Sequence, residues 1–351
     1  MSNRSAITRF CISALTIALT LTYSSVKALT STSFNTPIIP VVSPASYDTI
    51  TQIYNPHQDT STPLETIVTN QNQDANPNEA IAVSASGAVQ GEIVEKFISP
   101  YTANTSYNNV YLKNNTELDI NLKDFVNGNI DFKVEKNAQP QILILHTHAT
   151  ESYVLHNEKY YTENDTSRNT NNAYNMVSLG KIITDRLNNA GITTLHDTTQ
   201  HDNPSYNESY SRAAKTINSY KKKYPSIKIV IDLHRDAISQ NDTDKVKVTT
   251  EIHGKKAAQI MLVMGSQSGN VKNFPNWQEN LKLATKLQQT IEIAYPSLAR
   301  SILLMPKNYN QSLTTGSLLV EIGTDGNTLD EAKYSAELLS NALISLLNTL
   351  Q

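Results

Sequence analysis

Pro140-Gln141-Ile-Leu-Ile-Leu145-His146-Thr-His148-Ala-Thr-Glu151-Ser-Tyr153 decides the fold. An unbroken aliphatic run opened by proline suits a strand buried on both faces, as at the centre of a parallel sheet. The run then gives way to histidines, hydroxyls and an acid. The same change of character recurs twice further on. Residues 227–233 form a second buried strand and end in Asp232-Leu-His234-Arg235-Asp236; residues 318–322 form a third, in Val320-Glu321-Ile322-Gly323.

Amphipathic helices separate these strands. Residues 175–189 carry apolar side chains at Met176, Leu179, Ile182, Ile183 and Leu187, and Ala190-Gly191 is a glycine stop. Residues 192–195 should be the next strand, and 205–224 a Tyr- and Lys-rich helix stopped by Pro225. Residues 246–252 and 260–264 read as a β-pair joined around His253-Gly254. Helices follow over 277–295, halted by Pro296, and over 329–347. Upstream, 110–112 and 130–134 read as strands of a β-rich introductory segment, 85–140, packed on a domain spanning 141–351. Strand–helix alternation predicts an α/β fold: a mixed, mostly parallel sheet flanked by helices.

In such sheets ligands bind outside the carboxyl ends of the strands, so the three polar clusters should share one crevice. Its imidazoles (His146, His148, His234) and carboxylates (Glu151, Glu321) make a candidate zinc site. Three N/O ligands would leave a fourth position for water, with a further carboxylate as general base and acid. Competing structural readings are an ion pair of Glu321 with Arg235 and a helix-capping role for Glu151. A carboxylate placed among Leu319, Val320 and Ile322 needs a metal, a partner or a proton. His156, His196, His201 and His253 read as hydrogen-bonded structural residues.

Composition narrows the classes. The chain has 351 residues, 29 Lys+Arg against 32 Asp+Glu, and a net charge of −3. That balance argues against a nucleic-acid partner, and the low charged fraction of 17% argues against a coiled coil. The single cysteine, Cys11, excludes a disulfide framework and cysteine-ligated metal, leaving His and carboxylates as ligands. Arg4 and Arg9 precede the apolar stretch 10–23 and a small-residue site ending at Ala28. Residues 1–28 therefore read as a secretory signal or an uncleaved membrane anchor, which puts the bulk of the chain outside the cytoplasmic membrane. Residues 29–84 are Ser-, Thr-, Asn-, Pro- and Gln-rich and read as a flexible spacer.

The run His146-Thr-His-Ala-Thr-Glu-Ser-Tyr153 closely resembles the leading motif of the stage II sporulation protein P family. The resemblance continues in Tyr206-Asn-Glu-Ser-Tyr210, Asp232-Leu-His-Arg-Asp236, Tyr309-Asn-Gln-Ser-Leu313, Leu319-Val-Glu-Ile-Gly323 and Asn327-Thr-Leu-Asp-Glu331, in order, over about residues 100–351. It implies a zinc-dependent N-acetylmuramoyl-L-alanine amidase-like fold and a peptidoglycan hydrolase of sporulation engulfment, with additional endopeptidase activity. It also implies stage II sporulation proteins D and M as partners, at the forespore septum. By this resemblance His146 and His234 bind Zn²⁺ and Glu321 is catalytic. Ordinary amidases of this fold supply a helix-start glutamate as zinc ligand, and 171–180 holds no acid; Glu151 is the substitute, with His148 as the alternative ligand. Arg235 would hold a stem-peptide carboxylate or orient Glu321. Two alternatives stay open: a zinc hydrolase of another exoplasmic substrate (a peptidase or deacetylase), or a non-catalytic wall-binding scaffold.

Overall fold

The computed structural model describes residues 85–136 and 139–351; the predicted signal or anchor (1–28) and spacer (29–84) lie outside the described residues. In chain order the elements are β1 (Val89–Lys96), β2 (Thr105–Tyr107), β3 (Val110–Asn114), α1 (Leu122–Asn127), β4 (Ile142–Leu145), β5 (Tyr160–Thr162) and α2 (Met176–Asn189). There follow β6 (Thr194–His196), α3 (Ser209–Lys223), β7 (Ile229–Asp236), β8 (Ser239–Gln240), β9 (Asp244–Ile252) and β10 (Lys255–Ala258). The chain closes with β11 (Ile260–Gly265), α4 (Trp277–Ala294), β12 (Ile302–Met305), β13 (Ser317–Thr324) and α5 (Leu329–Asn348).

The larger sheet has the order β2-β3-β12-β11-β13-β7-β4-β6. Strands β6, β4, β7 and β13 run parallel to one another. Strand β11 pairs antiparallel with β13 and parallel with β12, and β12 pairs parallel with β3. The sheet is therefore two parallel blocks of opposite direction, with β2 antiparallel to β3 at one edge, the mixed α/β class expected. Alternation along the strands sorts its two faces. Ile142, Ile144, Ile229, Ile231, Leu233, Leu318, Val320 and Ile322 enter the main core beneath α2, α4 and α5. Leu143, Leu145 and Val230 face Ala213 and Ile217 of α3, while Leu319 joins Met261 and Val263. The second face is covered only in part by α3, and the functional residues emerge beside that helix.

Helix boundaries follow their caps. Asn175 accepts from Val177 N–H to start α2, which ends before Gly191 at φ +80°. Thr328 and Glu331 form a reciprocal capping box on α5.

Three expectations need correction. Residues 130–134 keep their apolar alternation, with Ile130, Phe132 and Val134 packed on the core, but they are irregular; Val134 N–H bonds Leu350 O instead of a strand partner. The 85–140 segment is no separate layer. Strand β3 lies in the larger sheet against β12, and β1 lies between β9 and β5 in a smaller sheet of order β10-β9-β1-β5. Finally, the hairpin at His253-Gly254 pairs β9 with β10, not with 260–264. Both turn residues have positive φ, +50° and +75°, as a two-residue hairpin requires. After Gln259 the chain crosses to the larger sheet as β11.

The fully buried Asn327 ties the two sheets together. Its Oδ1 accepts from Val248 N–H (3.1 Å) and Thr324 N–H (2.9 Å), and its Nδ2 donates to Val248 O (3.1 Å) and Glu331 Oε2 (2.9 Å). Truncation leaves several buried groups without partners. Asn327→Ala is expected to lower stability by about 3 kcal/mol in urea melts, against within about 0.5 kcal/mol for the exposed Asn218→Ala.

Candidate active site

The three polar clusters converge at the carboxyl ends of β4, β7 and β13, and strand parity decides which side chains meet. His146 continues the parity of Ile142 and Ile144 and so points toward α2, away from the α3 face. There its Nε2 lies 2.9 Å from His196 Nε2 and its Nδ1 3.2 Å from Leu233 O. Gly180 of α2 makes the room, since a Cβ on it would sit 2.4 Å from His196 Nε2 and 2.6 Å from His146 Nε2. Burial drives the His146 imidazole down to about 3 and His196 down to about 4, so both are neutral.

A tight turn brings the chain back onto the other face. Thr147 donates through N–H (2.8 Å) and hydroxyl (2.6 Å) to the two oxygens of Asp232. His148 then lands beside His234, with ring centroids 5.2 Å apart at 82°. Its Nδ1 is buried with no hydrogen-bond partner among the described residues. Glu151 follows, its N–H bonded to His148 O (3.2 Å). Glu151 Oε2 lies 3.4 Å from His234 Nδ1 and accepts from Arg235 N–H at 3.2 Å.

His234 and Glu321 are register partners on adjacent parallel strands. His234 Nε2 lies 3.0 Å from Asp232 Oδ1, out of line for a hydrogen bond. Burial disfavours its cation, but Asp232 and Glu151 outweigh that and raise its pKa well above the usual imidazole range. Glu321 Oε2 is buried and unpartnered among the described residues. Burial, reinforced by Glu151 and Asp236 against His234 and Arg235, pushes the Glu321 carboxyl up to about 8.

The expected site residues thus divide. His148, Glu151, His234 and Glu321 come together, with Asp232 beneath them. His146, expected as a ligand, is turned to the opposite face with both ring nitrogens engaged, and His148 is the histidine that faces His234. Arg235, expected beside the substrate or Glu321, is also turned away. Its Nε donates to Ser152 O (3.1 Å) and its amino groups to Ser167 O (2.6 Å) and Asp236 O (3.4 Å). It clamps the loops that carry Glu151 and shows no ion pair with Glu321. Of the histidines expected to be structural, His156 pairs with Asp165 at 2.8 Å, and His201 bridges His146 O and Thr216 Oγ1.

Two supporting groups carried no signal in the sequence. Asp202 accepts from Thr150 N–H (3.3 Å) and hydroxyl (2.6 Å) and pairs with Arg168. Arg168 also covers the Tyr206 ring at 4.9 Å, and Tyr206 in turn stacks on His148. Only position in the fold reveals them, because neither lies in a patterned strand or helix.

Among the described residues His148 Nδ1 and Glu321 Oε2 are buried without partners, with Glu151 and His234 beside them, and side chains of this N/O type are the ones a divalent cation takes. Among the described residues no three His, Cys, Asp or Glu side chains yet stand in ligating geometry. The donor chemistry fits a cation, which His148, Glu151 and His234 would hold.

Fold and site define an α/β protein with a histidine–carboxylate centre at its strand ends. The profile of stage II sporulation protein P matches residues 47–344, and the chain belongs to that family. Stage II sporulation protein P of Bacillus subtilis (strain 168) is 30% identical over 206 residues, 56% of this chain and 48% of the relative. The chain therefore spans about half the length of the curated relative it matches. Among solved structures, an N-acetylmuramyl-L-alanine amidase of Mycobacterium abscessus is 13% identical, with 61% of this chain and 99% of that chain covered at TM-score 0.36. The CwlD amidase of Clostridioides difficile, in complex with the GerS lipoprotein, is 11% identical, with 60% and 98% covered at TM-score 0.37. Among the described residues no helix is long and apolar enough to cross a membrane.

If Arg235 is a clamp, Arg235→Lys keeps the charge and loses the planar fork. Amide exchange of residues 150–168 should then quicken by about tenfold or more, corresponding to roughly 1.4 kcal/mol of local stability. Unchanged exchange would show that the clamp is not needed.

Proposed function

We propose that this chain is a zinc-dependent N-acetylmuramoyl-L-alanine amidase of sporulation, cleaving the amide between the muramoyl lactyl group and the stem peptide of peptidoglycan. The unpartnered His148 Nδ1 and Glu321 Oε2, set beside Glu151 and His234 at the strand ends, carry this reading, and membership in the stage II sporulation protein P family supports its biological setting. His148, Glu151 and His234 would hold the zinc. Bound zinc supplies Lewis acidity and lowers the pKa of a water beside the amide.

The chain's own groups supply the rest. Asp232, fixed by Thr147, holds the His234 ring in place. Glu321 takes a proton from the attacking water and returns it to the L-alanine nitrogen as the C–N bond breaks, leaving a free lactyl carboxylate and a free amine. Burial keeps the proton affinity of Glu321 close enough to neutrality for both transfers. The chain would act on the outer side of the cytoplasmic membrane, anchored there if its leader is retained, with stage II sporulation proteins D and M as partners. Endopeptidase activity belongs to the same proposal.

Two measurements test it. The zinc-loaded full chain, incubated with purified sacculi, should release stem peptides bearing free L-alanine, and the chelated chain should not. Glu321→Gln should lower release about 10²–10⁴-fold while zinc stays bound; full activity in that variant would remove Glu321 from the mechanism. The histidines should separate. His148→Ala loses zinc, whereas His146→Ala keeps zinc and costs about 2–3 kcal/mol of stability through the lost packing and hydrogen bonds. The opposite pattern would restore His146 as the ligand.

A further inference from the structure

Two motifs of the sequence, Tyr206-Asn-Glu-Ser-Tyr210 and Tyr309-Asn-Gln-Ser-Leu313, have no part in the chemistry above. In the fold they meet over the same crevice. Tyr206 stacks on His148 with centroids 4.5 Å apart and planes 10° apart. Tyr210, in the first turn of α3, meets His148 edge-on at 5.5 Å and lies nearly parallel to His234 at 6.5 Å. Tyr309 packs on Tyr210 at 6.2 Å. The loop that carries Tyr309 has left-handed residues at Tyr309 and Asn310, and Asn310 Nδ2 donates to Tyr210 O at 2.8 Å. That bond pins the second motif to the start of the helix bearing the first.

The Tyr210 ring is therefore fixed from three sides, by His148, His234 and Tyr309. Its hydroxyl, by contrast, makes no hydrogen bond among the described residues, although Asp232, Glu151 and Glu321 all surround the same crevice. Several other donors of the site have their acceptors in the fold: Thr147 gives to Asp232, Thr150 to Asp202, and Arg235 to two loop carbonyls. A phenol held rigidly by its ring with its O–H uncommitted is arranged to donate to something that is not part of the protein. Hydrolysis of an amide creates such an acceptor, because negative charge grows on the carbonyl oxygen as water adds, and preorganised donors aimed at that charge are among the strongest catalytic contributions.

We propose that Tyr210 is a catalytic residue, whose hydroxyl donates a hydrogen bond to the oxygen of the scissile amide as that oxygen becomes negative. The assignment rests on the amidase reading. It gives the site donors and acceptors on separate elements: Glu321 handles the proton from β13, and Tyr210 stabilises the oxyanion from α3. The ring contacts with His148 and His234 set the distance between the hydroxyl and the reacting centre.

Tyr210→Phe tests this directly, since it keeps the ring and removes one oxygen. With the zinc-loaded full chain and soluble muramoyl-peptide glycan fragments, kcat should fall about 10²-fold with KM changed less than about threefold. Zinc content and melting temperature should match wild type, and Tyr220→Phe on the same helix should retain wild-type kcat. A Tyr210→Phe chain with more than about one third of wild-type kcat overturns the assignment. So does a loss of kcat accompanied by loss of zinc or a lowered melting temperature, which would make Tyr210 a packing residue for His148. If wild-type chain releases no stem peptide with zinc present, the amidase reading itself fails and takes this assignment with it.

Discussion

The two hydrogen bonds from Thr147 to Asp232 are the constraint on which the site depends. Strand β4 would, by simple alternation, deliver every second residue after Leu145 to the α2 side of the sheet. The Thr147 N–H and hydroxyl instead anchor to a carboxylate on β7 and turn the chain over the strand end. His148 and Glu151 are thereby carried back to the α3 face, where His234 and Glu321 already point. Asp232 also lies against His234 Nε2, so one carboxylate fixes both the turn and the second imidazole. Around it the fold adds Asp202 under Thr150 and Arg235 through the loop carbonyls, giving the turn a backing on each side.

Much of this was legible in the sequence, for identifiable reasons. Strands β4, β7 and β13 are buried on both faces and open on short aliphatic runs, and α2 and α4 carry clear periodicity with recognisable stops. The crevice followed from the rule that ligands gather at strand carboxyl ends, and His234 and Glu321 lie within regular strands where parity holds. His146 and His148 were harder to separate because they lie beyond the last strand residue. One of the pair keeps strand parity and the other follows a turn, and the acceptor that shapes that turn lies 85 residues away. Arg235 was misplaced for a related reason: it alternates with His234 along β7, so a neighbouring position in sequence is the opposite face in space. Strand β12 and the true partner of β9 were missed because short apolar segments do not announce which sheet they join.

The charges in the crevice explain why it is suited to a cation. Glu151, Asp232 and Glu321 are buried together; His234 lies between Asp232 and Glu151, Arg168 Nη2 lies 3.8 Å from Glu151 Oε1, and Arg235 is committed to backbone carbonyls. Glu321 has no cation in ion-pair contact among the described residues, and burial of an unmatched charge is costly. Protons meet this need: Asp232 and Glu151 hold one on His234, and burial raises the Glu321 pKa to about 8. In the proposed reading His148, Glu151 and His234 would hold a divalent cation, whose charge would answer the same need. Because Glu321 is not ion-paired to Arg235, burial and its neighbours set its proton affinity, which in the proposed reading suits it to take up a proton and release it again.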